Sequence, residues 1–410
     1  MVLQSRRNII VIGGNFAGLA AARALDSRHF QVTLLDPGPD FEWYPNLHEL
    51  VSRHKRPGQL RHARQKLMER LGHRFQPVSV SAIDRRQQRV LTQSGQWLAY
   101  DDVVLALGNG GNLGMVPGAR EHALPFDSIA GAERVVQQLQ RLDALSLPVR
   151  PVVLIGAGFE GLEILGEMAR RYRRQWRFTV HVVDPLPSLM PAYRGVDSFL
   201  KSCVRDLDIQ WHLGRKAASV GKDEVLLDDG TRLASRLTLW CGGGMPHPLP
   251  VEAGLAEHRQ YAPVDPHLRS TLDEHVWIAG NAARFPTPLD KQAYHALAMG
   301  QHVAANLRRL HRRAPLKVFR PMALPKLLSF GETGLALFKT HAIAHPGVIA
   351  AKEAVYQANF HRLSLPRQPE EWSDLRQALS DSLEGMGRLA LTSLRTGRWK
   401  EGKRFEATAV

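Results

Sequence analysis

The sequence predicts an α/β protein built around two parallel-sheet units, and three observations carry that prediction. "NIIVIGGNFAGLAAARAL" near the N-terminus and "VVLIGAGFEGLEILGEMARR" from Val152 each run from a β-branched strand, through a glycine turn, into an apolar-periodic helix. Each is followed by a second strand, "QVTLLD" at 31–36 and "FTVHVVD" at 178–184, that ends on an aspartate. At 410 residues the chain is also too long for one core.

In chain order, residues 8–14, 17–27 and 31–36 read as strand, helix and strand. "LAYDDVVLALGNGG" (98–111) reads as a strand ending in a glycine turn, and 117–130 as a polar connector. The first pattern recurs at 152–156, 160–174 and 178–184. "KDEVLLDDGTRLASRLTLWCGGG" (222–244) reads as a hairpin feeding a buried strand. "HVWIAGNAARF" (275–285) is a buried strand ending at a glycine, with a helix over about 290–311. Beyond "RRAPLKVFRP" the pattern reads as Pro- and Gly-punctuated helices in a separate C-terminal region.

The glycine spacing has a chemical meaning. In a Rossmann-like unit one glycine makes the turn, one lets the backbone approach a pyrophosphate, and one lets helix and strand pack closely. The helix N-terminus offers unpaired N–H groups to the phosphates. The second unit has all three, Gly156, Gly158 and Gly161, and Asp184 closes its next strand. An acid there accepts hydrogen bonds from a free ribose 2′-hydroxyl and repels a 2′-phosphate, which favours NADH over NADPH. The first unit reads Gly13, Gly14, Asn15, Phe16, Ala17, Gly18, so Asn15 stands at the close-approach position. Asparagine tolerates left-handed dihedrals, and its side chain must point away from a phosphate or bond to it. Asp36 again suits a ribose. Two such sites, one for a resident and one for an exchanging dinucleotide, are what a flavoprotein using a nicotinamide requires.

Composition narrows the classes. With 44% apolar residues, 34 Gly and 25 Pro, the chain is an ordinary globular protein with many turns. Its two cysteines, Cys203 and Cys241, form no CxxC pair, so neither a disulfide framework nor a metal site is expected. The net charge of +15 comes from scattered arginines without a nucleic-acid recognition pattern. They fit a solvated basic surface or anionic ligands. The first strand begins too early for a signal peptide and no apolar run spans a bilayer, so a cytoplasmic protein is expected.

These residues resemble the two-dinucleotide-domain flavoprotein oxidoreductases, and most closely the type II NADH dehydrogenases (NADH:quinone oxidoreductases). "GAGFEGLEILGEMAR", "DDVVLALGNGGN", "LTLWCGGGMPHPLP", "VDPHLRSTLDEHVWIAGNAARF" and "AYHALAMGQHVAANL" carry the resemblance, over roughly 8–312. It implies an FAD-binding domain in two parts, 1–118 and 247–314, an NADH-binding domain at 119–246, and a C-terminal region at 315–410 that is a membrane or dimer interface candidate. FAD would lie on Gly13, Gly14, Asn15, Phe16, Ala17, Gly18 and Asp36, with Ala106 and Gly108 near its adenosine and Gly280 and Asn281 at its ribityl and pyrophosphate. NADH would lie on Gly156, Gly158, Gly161 and Asp184, with Gly243 near the nicotinamide. Glu163 matches a carboxylate with roles in nicotinamide positioning or proton delivery; the plain alternative is a helix acid in a salt bridge.

The chain departs from that pattern at Asn281, where the family has an aspartate, and at Tyr294 and Met299, which replace both glutamines of the helix that reads A-Q-x-A-x-x-Q-G in the family. Tyr294 and the neighbouring His295 could hydrogen-bond a quinone or serve as core residues. Residues 370–394 place Trp372, Leu375, Leu379, Leu383, Met386 and Leu389 on one helical face, with Arg376, Arg388, Arg395 and Arg398 adding positive charge. Such a face suits an anionic bilayer as a peripheral membrane attachment, or the protein's own core, or a homodimer partner. The reading is an FAD-dependent NADH oxidoreductase passing electrons to a quinone. A soluble flavoprotein reductase and a non-catalytic flavin- or NAD-binding regulator are the alternatives.

Overall fold

The computed structural model describes residues 6–147, 149–287, 289–363 and 402–408. The chain divides into two compact units. The first comprises Met1–Glu42, Arg61–Gly111 and Gly244–Ala323; the second comprises Trp43–Leu60, Asn112–Gly243 and Leu324–Val410.

In the first unit, strand Arg7–Ile12 lies at the centre of a five-stranded parallel sheet, because Ile9 to Ile12 are apolar without a break and so suit burial on both faces. Phe30–Leu35 and then Arg74–Gln76 lie on one side of it, Asp102–Leu105 and then Val276–Ile278 on the other. Helix Phe16–Ala24 packs against helix Ala293–His311. Small residues permit this: a side chain at Gly300 would run into the carbonyl of Ala17. Val80–Asp84, Arg89–Thr92 and Trp97–Ala99 form an antiparallel meander within the same unit.

The second unit repeats the plan. Strand Arg150–Ile155 is flanked by Phe178–Asp184 and Ile209–Leu213 on one side, and by Leu237–Trp240 and Ala123–Pro125 on the other, all parallel. The polar connector 117–130 thus contains a strand as well as the short helix Ala119–His122. The hairpin expected in 222–244 is Glu224–Leu227 with Arg232–Ala234, and it feeds the fully buried Leu237–Trp240.

Beyond Leu324 the punctuation read as helix breaks marks hairpin turns instead. Lys326–Phe330, Thr333–Leu337 and His341–Ala344 are antiparallel strands, with Lys403–Glu406 added at the edge, followed in sequence after Ala344 by helix Gly347–Leu363. The amphipathic stretch at 370–394 lies outside the described residues. Among the described residues no helix is long and apolar enough to cross a membrane.

Candidate functional site: two glycine loops and a buried carboxylate

The two glycine turns have closely similar backbones. Gly13 and Gly156 each have φ of +99°, where a side chain is strained and would also run into a facing carbonyl, that of Ala106 or of Cys241. Gly18 and Gly161 leave no room for a side chain against the carbonyls of Gly13 and Gly156, so each helix starts hard against its own turn.

The middle position separates the loops. A Cβ on Gly158 would meet nothing within 4 Å, so it opens onto free space at the N-terminus of helix Phe159–Tyr172. That is the berth a pyrophosphate needs. Asn15 is extended, with φ −94° and ψ −151°, so it does not supply the left-handed turn; Gly13 does. Its side chain is turned into the protein. Oδ1 accepts from the Glu42 N–H at 3.1 Å and Nδ2 donates to the Glu42 carbonyl at 3.2 Å. The loop therefore keeps its turn without a third glycine, the Asn15 side chain being committed to Glu42.

Both strand-end acids tie back to their own loops. Asp36 accepts from the Gly14 N–H (2.7 Å) and the Gly38 N–H (2.9 Å). Asp184 accepts from the Ala157 N–H (2.7 Å) and the Leu186 N–H (2.9 Å). A carboxylate has lone pairs to spare after two such bonds, so each can still receive a ribose hydroxyl. The first loop has a further component that the glycine pattern does not reveal. The buried guanidinium of Arg64 donates to the Gly14 carbonyl (3.0 Å), the Gly38 carbonyl (2.6 Å), Asp36 (2.8 Å) and Asn15 Oδ1 (3.2 Å).

Glu163 lies one turn into the second unit's helix and is only 7% exposed. Its Oε1 accepts from the Ser329 N–H at 3.0 Å and from the Lys352 ammonium; its Oε2 faces His48 Nδ1 at 3.1 Å. Glycine again makes this possible: Gly166 lets strand Lys326–Phe330 and its turn approach the helix backbone, bringing Ser329 to the carboxylate. Burial pushes the Glu163 carboxyl upward, against the opposing pull of Lys352. The side chain is thus a buried acid in an ion pair, able both to hold a proton and to release it. His48 and Lys352 carried no motif; they come from segments remote in sequence.

The remaining predicted residues divide. Gly280, Asn281 and His295 line one pocket together with Lys291 and Met299. His295 is buried, and both ring nitrogens face carbonyls, of Asp290 at 2.8 Å and Met322 at 3.1 Å. Tyr294 is half-buried beside it, ring centroids 4.2 Å apart. Phe16 and Ala17 are buried in the first helix turn, and Phe16 meets Phe41 edge-on. Ala106 supplies the carbonyl facing Gly13. Gly108 (φ +68°) and Gly243 (φ +81°) are open turns. Cys203 and Cys241 are not joined in a disulfide, and burial raises the Cys241 thiol well above its ordinary range. Among the described residues no cluster of three metal-ligating side chains occurs.

Two strand–glycine turn–helix units, each with an acid at the end of its second strand, define a dinucleotide-dependent oxidoreductase. The sequence profile of the pyridine nucleotide-disulphide oxidoreductases matches residues 7–300, and the chain belongs to that family. It is 26% identical over 345 residues to human ferroptosis suppressor protein 1, covering 79% of this chain and 86% of that protein. It is 21% identical over 337 residues to the type II NADH:quinone oxidoreductase of Staphylococcus epidermidis, covering 75% and 83%. The structure of NDH2 from Plasmodium falciparum in complex with NADH matches with a TM-score of 0.79 at 14% identity, covering 96% of this chain and 99% of that one.

Proposed function

We propose that this chain is an NADH:quinone oxidoreductase working through FAD, with FAD on the first unit and NADH on the second. The observation that carries the reading is the open berth at Gly158 beside the loop-tethered Asp184. The similarity to the staphylococcal NADH:quinone oxidoreductase supports the quinone as acceptor.

When bound, FAD supplies a ring that takes up a hydride and gives up two electrons. The protein's residues do the rest. In the first unit the N-terminus of helix Phe16–Ala24 would receive the pyrophosphate, Asp36 would receive a ribose hydroxyl, and Arg64 pairs with that acid and fixes the loop. In the second, Gly158 admits the NADH pyrophosphate and Asp184 receives its adenosine ribose. Asp184 bears a negative charge where a 2′-phosphate would sit, which sets NADH above NADPH. Glu163 holds and moves a proton at Oε2, because the net reaction takes one up: NADH, a proton and a quinone give NAD⁺ and a quinol. The apolar-striped sequence at 370–394, with the basic residues Arg395, Arg398 and Lys400 that follow it, supports peripheral attachment to an anionic bilayer, where a quinone would be found.

The test is an anaerobic cycle. The purified yellow protein bleaches on addition of NADH and recovers its colour on addition of a short-chain quinone. Protein that NADH leaves yellow, or that a quinone leaves bleached, overturns the reading.

A further inference from the structure

Segment Trp43–Leu60 brings into the second unit a set of buried ionisable side chains that the chemistry above leaves unused. Its 3₁₀ helix Tyr44–Leu50 carries His48, which is 2% exposed, and Glu49, also buried. His48 Nδ1 faces Glu163 Oε2 at 3.1 Å. Its other nitrogen, Nε2, is buried with no hydrogen-bond partner among the described residues, and lies 3.9 Å from Glu49 Oε1. From Glu49 the charges continue. Glu49 Oε2 is 3.6 Å from Lys55 Nζ, Lys55 is 2.8 Å from Glu353, and Glu353 accepts from the half-buried Gln357 at 2.6 Å.

Two features of this array are instructive. Three buried carboxylates, Glu49, Glu163 and Glu353, face two buried ammonium groups, Lys55 and Lys352, so the array has room for one additional proton. The histidine between its two halves is kept neutral. Burial, together with Lys352 and Arg170 on the flanking helices and Lys55 and His54 on its own segment, holds its imidazolium well below the ordinary range. A neutral imidazole whose Nδ1–H points at a carboxylate has its lone pair on Nε2. Here that lone pair faces the carboxyl side of the array.

We propose that His48 is a positioning and proton-relay residue that acts through Glu163, resupplying its Oε2 with protons from the Glu49–Lys55–Glu353 cluster. In the step, the Nδ1–H bond breaks as an O–H bond forms on Glu163, a new N–H bond forms at Nε2 with the cluster's proton, and a half-turn of the imidazole ring returns an N–H to face Glu163 before the next turnover. The cluster is reprotonated from water, and no electrons move. The inference rests on the quinone-reductase reading, whose net reaction consumes one proton per turnover.

The full-length, FAD-loaded protein serves for the test. In His48→Gln, recolouring by a short-chain quinone is expected to slow by about a hundredfold more than bleaching by NADH. In His48→Ala, added imidazole is expected to restore part of that loss. Equal slowing of both half-reactions, or of neither, overturns the relay. Nitrogen-15 histidine spectra of the wild-type protein supply a measurement independent of turnover and of any variant's folding. They are expected to show His48 neutral and protonated at Nδ1, and protonation at Nε2 alone contradicts the proposal. Wild-type protein that NADH fails to bleach sinks the parent reading instead, so the two failures are distinguishable.

Discussion

The carboxylate of Asp184 accepts a 2.7 Å hydrogen bond from the N–H of Ala157, inside the glycine loop of its own unit. The acid proposed to read the ribose therefore also sets the shape of the glycine loop. Charge-assisted hydrogen bonds contribute about 1.5–3 kcal/mol, so Asp184→Ala is expected to weaken NADH binding by roughly 10- to 100-fold. Asp184→Asn, which keeps an acceptor and loses the charge, is expected to narrow the gap between NADH and NADPH. Steady-state KM values for both coenzymes check this, and an unchanged NADH preference in both variants refutes the assignment.

Glu160 stands in the first turn of helix Phe159–Tyr172, where the phosphates would arrive. It reaches the surface, yet dehydration by the surrounding loop, with the neighbouring charges of Asp127 and Glu163, pushes its carboxyl up to about 8. Below that pH the group is neutral and compatible with a pyrophosphate; above it a negative charge opposes binding. NADH affinity is therefore expected to fall as pH rises through about 8. Glu160→Gln should remove that dependence and tighten binding at high pH by roughly two- to fivefold, the scale of a charge at a helix terminus. Calorimetric titration across pH measures it, and an unaltered profile in the variant counts against this role.

Arg64 holds the first loop as a buried cation on Asp36. Removing one partner of such a pair costs about 3–5 kcal/mol. Arg64→Leu is expected to lower the thermal midpoint and the FAD retained per chain. Asn15→Gly should behave differently: it loses the two bonds to Glu42 and the one from Arg64, at a cost of about 2–4 kcal/mol, while leaving the phosphate berth open and FAD bound. Melting curves and the flavin released on denaturation separate the two variants. Loss of flavin in Asn15→Gly would show that the asparagine side chain does more than brace the loop.

Local chemistry was legible in the sequence, and long-range chemistry was not. Glycine spacing and the closing aspartates are set by turn geometry within about thirty residues, so both loops could be read directly. The conformation of Asn15 could not, because its partner Glu42 and its neighbour Arg64 lie beyond the repeat. Glu163 stood out by its motif, but the groups that define its chemistry, two side chains and a backbone N–H, are supplied by a 3₁₀ helix, a helix and a strand from three other segments. One signal was available and passed over: Glu163 and Glu167 fall four apart on the apolar face of one helix, and buried acids need partners. Strands at 326–344 were misread because Gly331, at φ +59°, makes a two-residue hairpin turn between Phe330 and Thr333 rather than a helix stop.

The claim that all else depends on is that two separate dinucleotide berths serve one reaction, and Gly158→Ala tests it most directly. A methyl group there meets no protein atom within 4 Å, whereas one on Gly161 collides with the backbone of Gly156. Gly158→Ala is therefore expected to melt like the wild type and stay yellow, with one FAD per chain, yet not bleach at NADH concentrations that bleach the wild type. A chemical reductant should still bleach it. Gly161→Ala should be destabilised as a whole. A Gly158→Ala protein that loses its colour, or that NADH bleaches with wild-type affinity, contradicts the account.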